Sequence, residues 1–80
     1  MTVDLSHLTY NDTITYRYGY AIQPGIEDQD AAAGPYKALV VDIGERLIEV
    51  RADGMHGSQS LYMVFTSDIL SVEPTIRRQP

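Results

Sequence analysis

The sequence holds few side chains whose types and spacing could support catalysis. Its two histidines, His7 and His56, lie far apart, the first in a predicted surface turn and the second in a predicted flexible connection. Nucleophilic catalysis needs a base held beside its nucleophile, and neither position is expected to be fixed. Eleven acidic residues on an 80-residue chain produce close carboxylate pairs by chance, so an acid–base pair is not indicated either. We therefore predict that the protein is not an enzyme and has no catalytic residues.

Metal and cofactor sites are not indicated by the spacing of polar residues. Asp28 and Asp30 have the Asp-x-Asp spacing that begins a calcium loop, but alanine follows where the third oxygen ligand is needed and no Glu closes the loop. The chain has no cysteine, which removes thiolate sites and disulfides. No glycine spacing matches a phosphate-binding loop. We predict that the protein holds no metal and no cofactor.

A row of tyrosines is the most distinctive feature of the sequence. The stretch Thr13 to Ile22, TITYRYGYAI, alternates with a period of two and places five large residues on one side of an extended chain: Ile14, Tyr16, Tyr18, Tyr20 and Ile22. We interpret the row mainly as one wall of a core, because buried aromatic residues most often have that role. Buried phenol groups need hydrogen-bond partners. Tyr18 and Tyr20, which are near the following loop, are expected to reach a cavity mouth or a subunit interface.

The alternation and the turn signals predict five short strands, at residues 13–22, 36–43, 47–52, 61–66 and 69–72. Residues 4–10 could form one turn of helix capped by Asp4, with Leu5 and Leu8 facing inward. Residues 23–35 are predicted to be a mobile acidic loop, and residues 74–80 a flexible basic tail. The expected fold class is all-β: a small, five-stranded, strongly bent antiparallel barrel with a core in residues 12–74, within one domain of residues 1–80.

Size and charge restrict the partners that this chain is expected to have. A domain of 80 residues buries only about 60% of its unfolded surface, so self-association into a homo-oligomer is predicted to add stability. Residues 1–73 hold eleven acids and four bases, a net charge of −7, which disfavours generic binding to nucleic acid. No signal peptide or membrane-spanning segment is indicated. We therefore predict a cytoplasmic protein without membrane contact.

The second half of the chain resembles a known architecture. ALVVDIGERLIEVRADG and SLYMVFTSDILSVEP are similar to the two halves of an Sm-like fold, and Src-homology-3-like barrels share this general path. The resemblance covers residues 12–74. It implies rings formed through edge strands, with RNA or nucleotides bound at the turn after the second strand and at the corner before the fifth. Gly44-Glu45-Arg46 and Thr66-Ser67-Asp68 occupy those places and differ from the residues of RNA-binding members, so RNA binding is not the first expectation.

These observations predict a non-enzymatic binding protein of phage or mobile-element type. It would be a homo-oligomer that inhibits or sequesters a host factor or a small nucleotide signal. An Sm-like RNA-binding ring and a small subunit of an enzyme complex remain alternatives. The predicted ligand-binding residues are Tyr18, Tyr20, Asp42, Glu45, Arg46, Thr66, Ser67 and Asp68. A protein partner is predicted to contact the acidic loop at Glu27, Asp28 and Asp30.

Overall fold

The computed structural model describes residues 3–53 and 59–74. These residues form one antiparallel sheet, which confirms the predicted all-β class. Its six strands are β1 (Thr13–Tyr16), β2 (Tyr20–Ala21), β3 (Tyr36–Ile43), β4 (Leu47–Asp53), β5 (Gln59–Phe65) and β6 (Ile69–Glu73), with a 3₁₀ turn at Thr66–Asp68 between the last two. The predicted connection around His56 and the tail beyond Pro74 lie outside the described residues.

The strand order is β2-β5-β4-β3-β1-β6, so β2 and β6 stand at the two ends of the sheet and do not pair. The sheet therefore has six strands rather than the predicted five, and it is not closed into a barrel. The sheet is nevertheless strongly curved. In a flat sheet β1 and β2 would lie four strand spacings apart, about 19 Å. The chain from Tyr16 to Tyr20 can span only about 14 Å, so the sheet must bend to let three residues connect these strands.

The prediction of one continuous first strand is also wrong. β1 pairs with β3 and β6, whereas β2 pairs with β5. Between them the chain bends at Arg17, whose backbone N–H donates to the carbonyl oxygen of Asp68 at 3.1 Å. Tyr16 before the bend is fully buried, and Tyr20 after it is exposed. The period-two rule assigns faces only within one unbroken strand, so the bend divides the tyrosine row between the core and the surface.

The core lies on the inner face of the curved sheet. Its fully buried side chains come from four strands: Ile14, Tyr16, Val40, Ile48, Val50 and Val64. Adjacent strands supply matched pairs, such as Val40 opposite Val50 and Ile48 opposite Val64. Each pair places two apolar side chains in direct contact across the ladder. Tyr16 completes this core, as the sequence predicted for the tyrosine row.

The N-terminal segment covers one end of this core. Leu5 and Leu8 pack against it, which confirms their predicted inward direction. The N–H of Leu8 donates to the carbonyl oxygen of Leu5, and the Asp4 carboxylate accepts from the N–H of Ser6. That backbone hydrogen bond lowers the pKa of Asp4. Residues 4–10 thus contain a hydrogen-bonded turn at Ser6-His7 rather than a turn of helix.

Candidate binding surface

Three aromatic side chains meet on the outer face of the sheet, away from the core. Tyr20 on β2 lies opposite Met63 on β5, and Phe65 is two residues further along β5 on the same face. The ring centroids of Tyr20 and Phe65 are 5.5 Å apart with an interplanar angle of 84°. Those of Tyr18 and Tyr20 are 4.6 Å apart at 64°. We call Tyr18, Tyr20 and Phe65 the aromatic patch.

Apolar side chains surround the aromatic patch on the same face. Leu47 on β4 lies opposite Phe65, and the N–H of Ile22 donates to the carbonyl oxygen of Leu61. Tyr20 and Phe65 each keep 39% of their surface exposed, and Ile22 keeps 38%. Several exposed apolar side chains on one face of a sheet commonly mark an interaction site. None of these three side chains belongs to the core on the inner face.

The acidic loop, residues 23–35, is hydrogen-bonded to β2 and to the residue before it, directly beside the aromatic patch. The carboxylate of Asp28 accepts from the N–H of Ala21 at 2.7 Å through one oxygen and from the hydroxyl of Tyr18 at 3.3 Å through the other. The N–H of Gln29 donates to the carbonyl oxygen of Gly19 at 2.8 Å. These backbone groups of Gly19 and Ala21 would otherwise be free for another strand, so the loop occupies this edge of the sheet. Desolvation, followed by the negative charge of Asp28, raises the pKa of Tyr18.

Two further contacts hold the loop at its ends. The side-chain oxygen of Gln23 accepts from the N–H of Leu61 at 2.9 Å, and the carbonyl oxygen of Asp30 accepts from the hydroxyl of Tyr36 at 2.9 Å. Glu27, Asp28 and Asp30 are all exposed. The predicted partner-binding residues are thus at the surface, and Asp28 and Asp30 also have structural contacts. How far the rest of the loop moves stays a prediction.

The predicted corner, Thr66-Ser67-Asp68, directly follows the aromatic patch at the end of β5. The N–H of Thr66 donates to the carbonyl oxygen of Arg46 at 2.9 Å, which joins the β3–β4 turn to the 3₁₀ turn. Because Phe65 immediately precedes Thr66, this bond places the backbone of Arg46 next to the end of the patch. Ser67 is exposed, and Thr66 and Asp68 are partly exposed. The structure thus places the 3₁₀ turn and the backbone of Arg46 at the end of β5, adjacent to the aromatic patch that contains Tyr18 and Tyr20.

Asp42 does not join this group. On the outer face Asp42 lies opposite Glu49, Glu49 lies opposite Met63, and Met63 lies opposite Tyr20. Three strand spacings, about 14 Å, therefore separate Asp42 from Tyr20. Glu45 is exposed in the β3–β4 turn.

Sequence reasoning missed Phe65, Met63 and Gln29. The alternation of β5 contained a signal for the first two, because Leu61, Met63 and Phe65 fall on one face. The other face of β5 is also apolar, however, so the pattern could not say which face is outside. Gln29 gave no signal, since its role depends on a contact with Tyr16 that only the folded chain creates.

The described residues contain no group of three or more histidine or acidic side chains that could hold a metal ion. In the same part of the chain, no helix has the length and apolar character needed to cross a membrane. Comparison with protein-family models, curated proteins and solved structures finds no match to this chain.

Proposed function

We propose that this protein is a non-enzymatic binding protein whose aromatic patch contacts its partner. The observation that carries the proposal is the exposure of Tyr20 and Phe65, which contact each other on the face opposite the core. Aromatic side chains on a surface supply large contact areas and are enriched where proteins bind one another. The patch also lies on paired strands and a fastened loop, so its side chains are held in place before a partner arrives.

Charge favours a protein partner over a nucleotide. The loop beside the patch, residues 23–35, carries three acidic side chains and no basic one. A basic protein surface would be attracted to this side of the molecule, whereas phosphate groups would be repelled. On this proposal the protein inhibits or sequesters its partner by covering a basic, partly apolar surface.

A small nucleotide is the second candidate ligand. It is favoured by the exposed rings of Tyr20 and Phe65 and by the basic residue of the adjoining turn, Arg46, whose backbone carbonyl accepts from the N–H of Thr66. On this candidate, an exposed ring stacks the base and the guanidinium group of Arg46 turns toward the patch to hold a phosphate. Titration with adenosine and uridine nucleotides tests this candidate, since binding that weakens steeply as salt rises would favour it.

We also propose that the order of strands and turns in this chain is that of an Sm-like or Src-homology-3-like fold. A strand, a one-turn corner and a short strand were expected at the end of the chain, and β5, the 3₁₀ turn and β6 have this arrangement. The strong curvature of the sheet also supports a barrel-like architecture, with β1 and β2 connected by only three residues across the bend.

Self-association is proposed to use β6. A ring built by strand pairing needs two open edges in each subunit, one for each neighbour. The edge at β2 is occupied by Asp28 and Gln29, whereas β6 pairs with β1 alone within the described ranges. One open edge suits a symmetric pair, so we infer a two-fold dimer joined through β6.

The binding proposal is tested by affinity capture from the protein's own cells, followed by reconstitution with the purified partner. The patch variant is Phe65→Ser, and its matched control is Leu39→Ser. Leu39 is also 39% exposed but lies on β3. Wild type and Leu39→Ser should retain the partner, and Phe65→Ser should weaken reconstituted binding at least tenfold, as expected for an interface anchor. Equal affinity of all three proteins would contradict the proposal.

A further inference from the structure

The aromatic patch combines open ring surfaces with a fixed negative charge. The ring plane of Tyr20 is inclined by 64° to that of Tyr18 and by 84° to that of Phe65. In this arrangement the three rings do not cover one another as a parallel stack would, and Tyr20 and Phe65 remain 39% exposed. The face of an aromatic ring carries partial negative charge and attracts cations within about 6 Å of its centroid. The patch is therefore suited to a cationic group with apolar character.

Asp28 places a full negative charge at the margin of these rings. One carboxylate oxygen is held by the N–H of Ala21 at 2.7 Å, and the other lies 3.3 Å from the hydroxyl of Tyr18. An ionised carboxylate offers about four acceptor positions, so these two contacts leave positions for a ligand. The backbone bond fixes the carboxylate, which means that its position does not depend on the ligand.

The acidic loop beside the patch also favours a cationic ligand. Glu27 and Asp30 are exposed on either side of Asp28 and its neighbour Gln29, and residues 23–35 contain no basic side chain. These charges attract cations toward the patch and repel anions. A neutral apolar ligand would use the rings but not the carboxylate. The rings and the carboxylate of Asp28 together therefore favour a cationic ligand over a neutral or an anionic one.

We propose that the aromatic patch and Asp28 bind an arginine side chain presented by the partner protein, an inference that rests on the proposed binding function. A guanidinium group is planar, stacks on aromatic faces and donates paired hydrogen bonds to a carboxylate. The rings and Asp28 supply both kinds of contact at one place. A lysine ammonium group would gain the charge contact but lacks the planar surface for stacking.

The test is an NMR titration of the full chain with a capped pentapeptide, Gly-Gly-Arg-Gly-Gly, and with the same peptide containing citrulline. Citrulline keeps the shape of arginine but is neutral. We expect the arginine peptide to shift the ring signals of Tyr18, Tyr20 and Phe65 and to bind at least threefold more tightly than the citrulline peptide. A lysine peptide should bind more weakly than the arginine peptide.

Three variants locate the site. Phe65→Leu keeps an apolar side chain but removes one ring, and Asp28→Asn removes the charge but keeps an acceptor for the N–H of Ala21. Each should weaken arginine binding at least twofold. Asp42→Asn removes a charge at the far end of the same outer face, about 14 Å from Tyr20, and should leave arginine binding unchanged.

The outcomes separate this inference from the proposed function. Equal shifts with arginine and citrulline, or an equal effect of Asp42→Asn and Asp28→Asn, would overturn the cation site. Tighter binding of a nucleotide at the patch would also overturn it. If the arginine peptide does not bind while Phe65→Ser still abolishes partner capture, the binding function stands without this ligand. If both measurements are negative, both proposals fail.

Discussion

The hydroxyl of Tyr16 donates a hydrogen bond to the side-chain oxygen of Gln29, thirteen residues further along the chain. Tyr16 lies in the core and Gln29 belongs to the acidic loop, so this bond connects the inner face of the sheet to the segment that covers β2. Gly19 lies close to both side chains. A Cβ atom added at Gly19 would be 2.5 Å from the side-chain oxygen of Gln29 and 3.2 Å from the Tyr16 ring. A core tyrosine therefore contributes to holding the loop beside the aromatic patch, together with the bonds of Asp28 and Gln29 to β2 and its preceding residue.

Replacing Tyr16 with phenylalanine should lower the free energy of unfolding by about 1 kcal/mol, because the hydrogen bond is lost while the ring remains. Urea unfolding monitored by circular dichroism measures the change. Tyr10→Phe is the control, since Tyr10 is 59% exposed, and it should change stability by less than about 0.5 kcal/mol. Equal stability of Tyr16→Phe and wild type would contradict the role given to this bond.

The protein should lose stability as the pH rises from about 10 to about 12. Burial raises the pKa of Tyr16 to about 12, above the ordinary value of 10.0. In that interval the unfolded chain has released this proton and the folded chain still holds it, so raising the pH favours unfolding, by at most about 1.4 kcal/mol per pH unit. Below pH 10 both states hold the proton, and this contribution is fully present. Denaturant unfolding across this range should show a shallower decline for Tyr16→Phe, and parallel curves would count against the assignment.

Gly19→Ala should destabilise the protein by about 1–3 kcal/mol, because the added methyl group displaces the Gln29 side chain from Tyr16. Truncating the Gln29 side chain should relieve part of the steric clash with this methyl group. In a double-mutant cycle, Gly19→Ala should therefore cost less when Gln29→Ala is already present. Strictly additive effects on unfolding free energy would show that the alanine acts elsewhere.

Glu49→Lys should raise the free energy of unfolding by about 0.5–1 kcal/mol. Glu49 lies directly opposite Asp42 on the outer face, and like charges in this position repel. The gain should shrink as salt is added, because salt screens exposed charges. Glu45→Lys, in the adjacent turn, makes the same change in net charge and serves as the control. If both variants gain equally, net charge rather than the cross-strand pair is responsible.

Ser71→Lys should prevent the proposed association through β6. Ser71 is an exposed residue in the middle of this edge strand, and a two-fold pair centred there would bring the two lysines together. Charged side chains on an edge strand oppose pairing with another strand. Sedimentation at several micromolar concentrations should show a wild-type dimer and a monomeric variant, with Ala32→Lys in the loop as the control. A monomeric wild type, or a Ser71→Lys dimer of unchanged affinity, would contradict the β6 interface.

Much of the sheet could be read from the sequence by itself. β3 has the predicted bounds, and β4, β5 and β6 differ from prediction by one or two residues at their ends. The turns at Gly44 and Asp68 and the inward leucines of the N-terminal turn also lie where expected. These features are local: side-chain alternation and turn residues depend on near neighbours in the chain, which the sequence contains directly.

Only the tertiary structure decided which surface carries the candidate site. The bend at Arg17 separates Tyr16 in the core from Tyr20 on the outer face, and that bend exists because β1 and β2 pair with different strands. The same pairing joins Phe65 to Tyr20 and leaves Asp42 three strands away. Alternation shows which side chains share a face of the sheet, but it does not show which face is buried. The choice between core and surface therefore follows from long-range strand pairing.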